Sequence, residues 1–272
     1  NCSQIESALK FLREIKLGQR TSVPKQIAVI GGGSVAIDVA MSSIRLGAEP
    51  TVIVRGLMRA PQEEIDEAVE EGVNILSGWA TKDFVFNNGH LKKLILHRSM
   101  RVLDDNARYA PVYKEDEVRE LETDLVVTAI GQEPDLAYLD DDIKVDVRNN
   151  IILNSALQTT AEGVFAAGEI KTPGLIISAV GEGKRAAVSI DYYLGGSGIY
   201  FGRDIEVPET HINHQIWEIP RQRPSKLAVG QRRSNFSEVE FTLTREQALC
   251  EADRCMRCDR NSIQELFLRS FP

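Results

Sequence analysis

The chain holds 272 residues, 43% hydrophobic and 26% charged, an ordinary balance for one large or two smaller globular domains. Lys and Arg total 32 against 40 Asp and Glu, a formal net charge of −8 with no strong basic cluster, which argues against a nucleic acid partner. No apolar run approaches the roughly 20 residues needed to span a bilayer, the first residues carry charges where a secretory signal is apolar, and four cysteines do not make a disulfide framework; a soluble α/β protein of the reducing cytoplasm is expected.

In chain order, residues 7–16 carry Ala8, Leu9, Phe11, Leu12 and Ile15 at helical spacing and predict an amphipathic helix. Gly18 and Pro24 punctuate the path to residues 27–30, a wholly apolar run suited to a strand covered on both faces. A glycine run follows, then a helix over 35–46 closed by Gly47 and a second buried strand over 51–54. A helix over 63–71, ended by Gly72, leads to a third strand over 73–76. This β-α-β-α-β order implies a parallel sheet with right-handed crossovers. Residues 84–86 and 91–96 flank Asn87-Asn88-Gly89, a hairpin signal, 113–121 is polar and edge-like, and 125–130 is again a buried strand. Short strands are expected at 151–153 and 164–167, then one helix over 175–194 that Gly181 and Gly183 loosen. Residues 195–202 and the Pro/Arg-rich 220–231 read as connection, and the acids of 63–71 as the solvated face of their helix. Thr244, with Gln247 three residues on, opens a last helix through a capping box.

The sharpest local signal is Gly31-Gly32-Gly33-Ser34-Val35-Ala36, a G-x-G-x-x-A run directly after a strand and opening a helix. Gly31 permits the tight turn, Gly33 lets a pyrophosphate approach the backbone, and Ala36 lets helix and strand pack closely. The first N–H groups of the helix, at Ser34 and Val35, have no partner within it and offer donors and partial positive charge to phosphate. The end of the second strand selects the dinucleotide. An acid there would hold the ribose 2′-OH of NAD. This chain has Arg55-Gly56-Leu57-Met58-Arg59 instead, and planar, permanently charged Arg55 and Arg59 suit the 2′-phosphate of NADP(H); the bland alternative is two solvated surface charges. Asp38, on the first turns of the helix, is read as ordering the phosphate loop or as part of a surface pair.

The run VIGGGSVAIDVAMSSIRLGAEPTVIVR resembles the nicotinamide-binding domain of flavin-dependent pyridine nucleotide oxidoreductases, above all the glutamate synthase small-subunit-like branch with its V-I-G-G-G-N-x-A-x-D pattern. DLVVTAIGQEPD at 124–135 is similar to the strand and turn that close that domain, TAEGVFAAGEI at 160–170 to the second flavin-binding motif, and SAVGEGKRAAVSIDYYL to the helix whose N-terminal end faces the flavin. The resemblance implies a Rossmann-like α/β fold of the two-dinucleotide-binding-domain flavoprotein type. It divides the chain into a lead-in helix and linker (1–24), an NAD(P)H-binding domain (25–136), the C-terminal half of an FAD-binding domain (137–197) and an extended tail (198–272). It also implies cofactor contacts for Ile130 and Gly131 at the closing turn, and for Gly168, Glu169 and Ile176 against the flavin. Ser34 stands where the pattern has Asn, Glu169 where the flavin motif has Asp, and the loop after Arg55 is a few residues shorter than in the branch. The first flavin half, with its own G-x-G-x-x-G, is not in this sequence, and the chain begins with Asn. A fragment or a multi-chain complex is therefore expected, in which an omitted segment or a partner subunit supplies that half.

Cys255-Met256-Arg257-Cys258 places two thiols at i and i+3, on one face of a helical turn, able to ligate one metal centre. Cys250 would point about 140° away from Cys255 on a continuous helix. The ending FTLTREQALCEADRCMRCD resembles a tail of the same branch in which the pair matching Cys255 and Cys258 recurs. Iron–sulfur ligation completed from elsewhere, zinc and free thiols stay open for this pair. His211 and His214 read as loop histidines, and Cys2 as a plain thiol. No nucleophile–base set appears, so no catalytic side chain is named. The resemblance implies hydride transfer between NADPH and FAD, with electrons passing to iron–sulfur centres, an iron–sulfur partner protein or another subunit. The first alternative is a non-catalytic nucleotide-binding or assembly subunit without flavin; the second is a flavin-independent dehydrogenase, for which the sequence shows no catalytic Tyr/Lys or His/Asp pair.

Overall fold

The computed structural model describes residues 4–103, 109–147, 149–171, 174–198 and 220–254. They fall into two compact units, one drawn from Asn1–Ile130 and Gln222–Cys250, the other from Gly131–Arg221 and Glu251–Pro272.

The first unit opens with β1 (Ile5–Ser7), which runs straight into α1 (Ala8–Lys16). Ser7 is the N-cap, its hydroxyl accepting the Lys10 N–H at 3.4 Å. The apolar stripe of α1 buries Ala8 and Phe11, and the Arg20 guanidinium lies 4.9 Å over the Phe11 ring. β2 (Gln26–Ile30), α2 (Ser34–Arg45), β3 (Glu49–Val54), α3 (Gln62–Glu71) and β4 (Asn74–Ser77) follow in the order expected from the sequence. β5 (Trp79–Asn87), β6 (His90–Leu103), β7 (Tyr109–Glu122) and β8 (Leu125–Thr128) complete the strands. The parallel sheet has the order β1-β8-β2-β3-β4, and a separate antiparallel sheet the order β5-β6-β7. β1 had no signal in the sequence, because three residues with a central Glu show no period.

Strand alternation assigns the two faces of the parallel sheet. Ile27, Val29, Val52, Leu125 and Val127 join one core with Phe11, Ile37, Val39, Ala40 and Ala68 of the three helices. Ala28, Ile53, Leu76 and Val126 point the other way, into a second core with Leu91, Leu94 and Leu96 of β6. The central strands β2, β3 and β8 are therefore apolar at successive positions, because helices cover one face and the antiparallel sheet the other. The hairpin at Asn87-Asn88-Gly89 turns with positive φ at Asn88 (50°) and Gly89 (78°), the handedness that suits twisted strands. β7 is one of the two edge strands of the antiparallel sheet and carries Lys114, Glu115, Glu117, Arg119 and Glu120, charges that discourage further pairing.

The tail departs from its reading as connection. Leu227 N–H donates to the Val239 carbonyl at 2.8 Å and Phe241 N–H to that of Ser225 at 2.9 Å, closing a loop that contains α5 (Val229–Arg232). This loop lies on α3. Arg223 pairs with Glu63, Lys226 with Glu67, and Arg232, only 5% exposed, with Glu70 at 3.1 Å. Glu63, Asp66 and Glu70 are exposed as a solvated face would be, but Glu67 and the buried Glu71 meet cations that the tail supplies and α3 lacks, so part of this face is a docking face. α6 (Arg245–Asp253) begins with the expected capping box: the Thr244 N–H donates to Gln247 Oε1 at 2.9 Å, and the Gln247 N–H to Thr244 Oγ1 at 3.2 Å.

In the second unit, α4 (Ile176–Tyr193) buries only Ala186. The strands expected at 151–153 and 164–167 are single bridges, Val145 to Ile151 and Gln158 to Phe165. Tight turns take their backbone groups, as in Asp146 N–H to Asn150 O (2.8 Å) and Thr159 N–H to Val164 O (2.8 Å), and no longer strand pairs with them among the described residues. No described helix is long and apolar enough to cross a membrane.

Leu94, fully buried between the two sheets, sets the strength of the second core. Leu94→Ala is expected to lower unfolding free energy by about 2–5 kcal/mol in urea titrations, the cost of a cavity whose walls are strands on both sides.

Candidate dinucleotide-binding site

β2, β3 and β8 are neighbours and parallel, so the turns after Ile30, Val54 and Thr128 emerge along one edge of the sheet. β2 lies where the chain order changes direction, with β3 on one side and β8 on the other, and such switch points leave a crevice at the carboxyl ends of the strands. The glycine turn fills this place.

Its three glycines differ in function. Gly31 has φ +147°, and a Cβ there would overlap the Ala129 carbonyl oxygen. Its N–H donates to Ile53 O at 3.0 Å, so the turn is tied to β3 while pressed against the segment after β8. A Cβ on Gly32 would come 2.5 Å from Val54 Cγ2 and 3.6 Å from Met58 Sδ. Gly33, by contrast, has nothing within 4 Å of its missing Cβ. It is the N-cap of α2 with extended backbone (φ −95°, ψ 178°) and no side-chain cap, and the first turn of α2 contains no acid. A helix N-terminus without its own anion, approached across an open glycine, can accept a phosphate from outside. Ala36 is fully buried against the sheet, as close helix–strand packing requires.

The loop after β3 is tied to the same turn. Arg59 and Ala60 N–H groups both donate to Gly32 O, at 2.6 and 3.1 Å. Arg55 and Arg59 are exposed, and among the described residues neither guanidinium pairs with a carboxylate. Both thus stand free in the loop after β3, whose backbone is tied to the glycine turn at Gly32. Asp38 is exposed on α2 and forms no hydrogen bond to the turn among the described residues; the loop is ordered by the Gly32 carbonyl instead. Desolvation, and next the Glu64 carboxylate, push the Asp38 carboxyl above its ordinary range, and Arg45 opposes them. Ile130 (75% exposed) and Gly131 (φ +115°) lie just past β8.

In the second unit, Gly168 begins a 3-10 turn (Gly168–Ile170) that carries Glu169 outward to solvent. Glu182 of α4 holds this turn from beneath: one oxygen accepts the Gly168 N–H at 2.8 Å, the other pairs with Lys171 Nζ at 2.7 Å. Lys171 first, and then the Gly168 N–H, keep the Glu182 carboxyl below the usual range. The sequence reading missed Glu182, Ala129 and Met58, which act by position and not by motif. Ile176, at the start of α4, is 86% exposed, with Leu175 and Ile177 beside it at 73% and 72%. Cys2, Cys255, Cys258, His211 and His214 lie outside the described residues, and among the described residues no cluster of His, Cys, Asp or Glu could hold a metal ion.

Residues 3–183 match the family described as pyridine nucleotide-disulphide oxidoreductase. Over 271 residues the chain is 33% identical to the NADP(+)-dependent formate dehydrogenase subunit beta of Moorella thermoacetica, covering 93% of this chain and 38% of that protein. It is 29% identical over 298 residues to the NADPH-Fe(3+) oxidoreductase subunit beta of Geobacter sulfurreducens, covering 94% and 44%. Over 185 residues it is 30% identical to the glutamate synthase (NADPH) small chain of Azospirillum brasilense, covering 65% and 43%. The chain thus spans less than half the length of each of these relatives. The thioredoxin reductase of T. acidophilum superposes with a TM-score of 0.55 at 22% identity, covering 71% of this chain and 57% of that one, a likeness of fold. With two thirds of its length matched and the Rossmann-like geometry in place, the chain belongs to the pyridine nucleotide-disulphide oxidoreductase family, NAD(P)H-dependent oxidoreductases of the two-dinucleotide-binding-domain flavoprotein fold that bind FAD and NAD(P).

Proposed function

We propose that this chain is the NADP(H)-binding module, together with part of the FAD-binding domain, of a flavin-dependent oxidoreductase similar to the glutamate synthase small chain. The observation that carries the reading is the pair of unpartnered arginines, Arg55 and Arg59, beside a glycine turn whose only open position is Gly33. In this reading the backbone at Gly33, Ser34 and Val35 receives the pyrophosphate, and Arg55 and Arg59 receive the 2′-phosphate. Ile130 and Gly131 border the nicotinamide half, while Asp38 contributes negative charge away from the phosphates. Three relatives named for NADP or NADPH support that choice of dinucleotide.

Residues 25–136 are the proposed NAD(P)H-binding domain, 137–197 the C-terminal half of the FAD-binding domain and 198–272 the tail. Gly168, Glu169 and Ile176 are the FAD contacts this chain would contribute. Their fit is partial: the Gly168 turn is braced by Glu182, but Leu175, Ile176 and Ile177 stand in water. Three adjacent exposed aliphatic side chains at a helix start are what remains when the covering part of a domain lies on another segment or subunit. When both cofactors are bound, the nicotinamide supplies a hydride and the flavin accepts it. The chain's own residues bind and orient the dinucleotide and leave the chemistry to the cofactors. Onward transfer to iron–sulfur centres, through Cys255 and Cys258 or in a partner, belongs to the same proposal.

Two experiments test it. Arg55→Glu is expected to raise the NADPH dissociation constant about 10- to 100-fold, the worth of a charge-assisted hydrogen bond replaced by repulsion, and to leave NADH binding nearly unchanged. Equal effects on both dinucleotides, read by fluorescence titration, would sink the assignment. Gly33→Ala meets no atom and needs no positive φ, so it is expected to melt at the wild-type temperature yet lose dinucleotide binding. Gly31→Ala, which strikes backbone, is expected to destabilise the fold itself.

A further inference from the structure

α3 has the composition QEEIDEAVEE: six acids, no base, and none of the last-turn cations that favour a helix C-terminus. Glu67, Glu70 and Glu71 repel one another and the C-terminal end of the helix dipole. Isolated, such a helix is frustrated. The tail loop supplies the missing charge from about 160 residues away in sequence. Lys226 Nζ bridges Glu67 and Glu240, and Arg232 reaches Glu70 at 3.1 Å and Glu71 at 3.7 Å. Glu71 is fully buried, and Arg45, from the end of α2, meets the same oxygen at 3.7 Å. The tail thus joins the C-terminal ends of the two helices whose N-terminal ends flank the glycine turn.

The other end of α3 is where this matters. Pro61 leads into the helix directly from Arg59 and Ala60, whose N–H groups are fixed on Gly32 O. The arginine loop is therefore suspended between β3 and α3. Only Ala60 and Pro61 separate Arg59 from the first turn of α3.

We propose that Lys226 and Arg232 are positioning residues of the dinucleotide site: by holding α3 they fix the arginine loop against the glycine turn and so set the preference for a 2′-phosphate. This rests on the NADP(H) reading above. It adds that the site is completed by a segment far from the Rossmann-like core in sequence.

The test is a charge exchange in the full chain: Lys226→Glu, Glu67→Lys and the two combined. Each single variant is expected to raise the NADPH dissociation constant roughly three- to tenfold while NADH, which shares every contact except the 2′-phosphate, changes less than about twofold. The combined variant is expected to recover the wild-type ratio. Amide hydrogen exchange over residues 55–71 is expected to quicken in the single variants and slow again in the combined one. A purely structural role would weaken both dinucleotides alike, and that result, or an unchanged ratio with no recovery in the exchange variant, overturns the proposal. Arg232→Lys, which keeps the charge, is expected to bind NADPH better than Arg232→Met at equal melting temperature; equality of the two also overturns it. If the unsubstituted chain shows no preference for NADPH over NADH, the dinucleotide reading itself fails, and this proposal with it.

Discussion

The backbone at Gly31 passes so close to the Ala129 carbonyl that no side chain fits between them. That contact brings three parts of the chain, far apart in sequence, to one point. β2 ends just before it, the first turn of α2 begins three residues later, and the exit from β8 forms the opposing wall. Because the turn is pressed onto β8, Gly33 is turned outward with open space before it. Because Gly32 is wedged against Val54 and Met58, its carbonyl is free to accept the Arg59 and Ala60 N–H groups. One close approach therefore decides where an anion can meet the helix N-terminus and where the loop arginines stand. A bulkier residue at Gly31 would open the turn and separate these features together.

The two faces of the parallel sheet explain why the first unit holds this arrangement firmly. Ile27 and Val29 pack toward helices while Ala28 packs toward Leu91, Leu94 and Leu96. The strand that leads into the glycine turn is thus fixed from both sides, and its final residue cannot rotate without disturbing one core or the other. The second unit offers a contrast. α4 is twice as long as most helices of the first unit but buries a single alanine, and the segments before it make isolated bridges instead of ladders. The Glu182 brace joins α4 to the turn before it by a charge-assisted contact that needs no sheet.

Much of the first unit was legible in the sequence, for physical reasons. The run at 27–30 announces a strand covered twice because every position is apolar, and the turn announces itself because three glycines are costly unless the backbone needs them. Thr244 and Gln247 identify their helix start because the capping interaction is local. What escaped was set by contacts between residues far apart. β1 exists because Ile5, Glu6 and Ser7 find β8 more than a hundred residues later. The expected strands at 151–153 and 164–167 have the right composition, but a strand also needs a neighbour. In the candidate site, Arg55 and Arg59 were visible as types at a position. The carbonyl of Gly32 that orders their loop was not, since a backbone acceptor leaves no mark in the sequence.

The tail is the clearest case, and its missed signal was electrostatic. A helix with six acids and no base invites the question of what neutralises it, and a Pro/Arg-rich stretch elsewhere was an available answer. The structure joins them at a cost. Burial raises the Glu71 carboxyl above its ordinary range, and Arg45 and Arg232 only partly reverse this. By linkage, a raised carboxyl contributes most to stability below the ordinary range and loses that contribution as pH rises through its shifted value. At neutral pH Glu71 itself is therefore no net source of stability, whereas Lys226, its ammonium favoured by Glu67, is one. What the buried Glu71 supplies is register. An arginine buried without its carboxylates would cost several kcal/mol, so Arg232, itself 5% exposed, is held at Glu71, the buried acid of α3, beside Glu70. A purely apolar strap would lack these pairings. The charged one fixes which residue of the tail meets which residue of α3, and through α3 the position of the loop that carries Arg59.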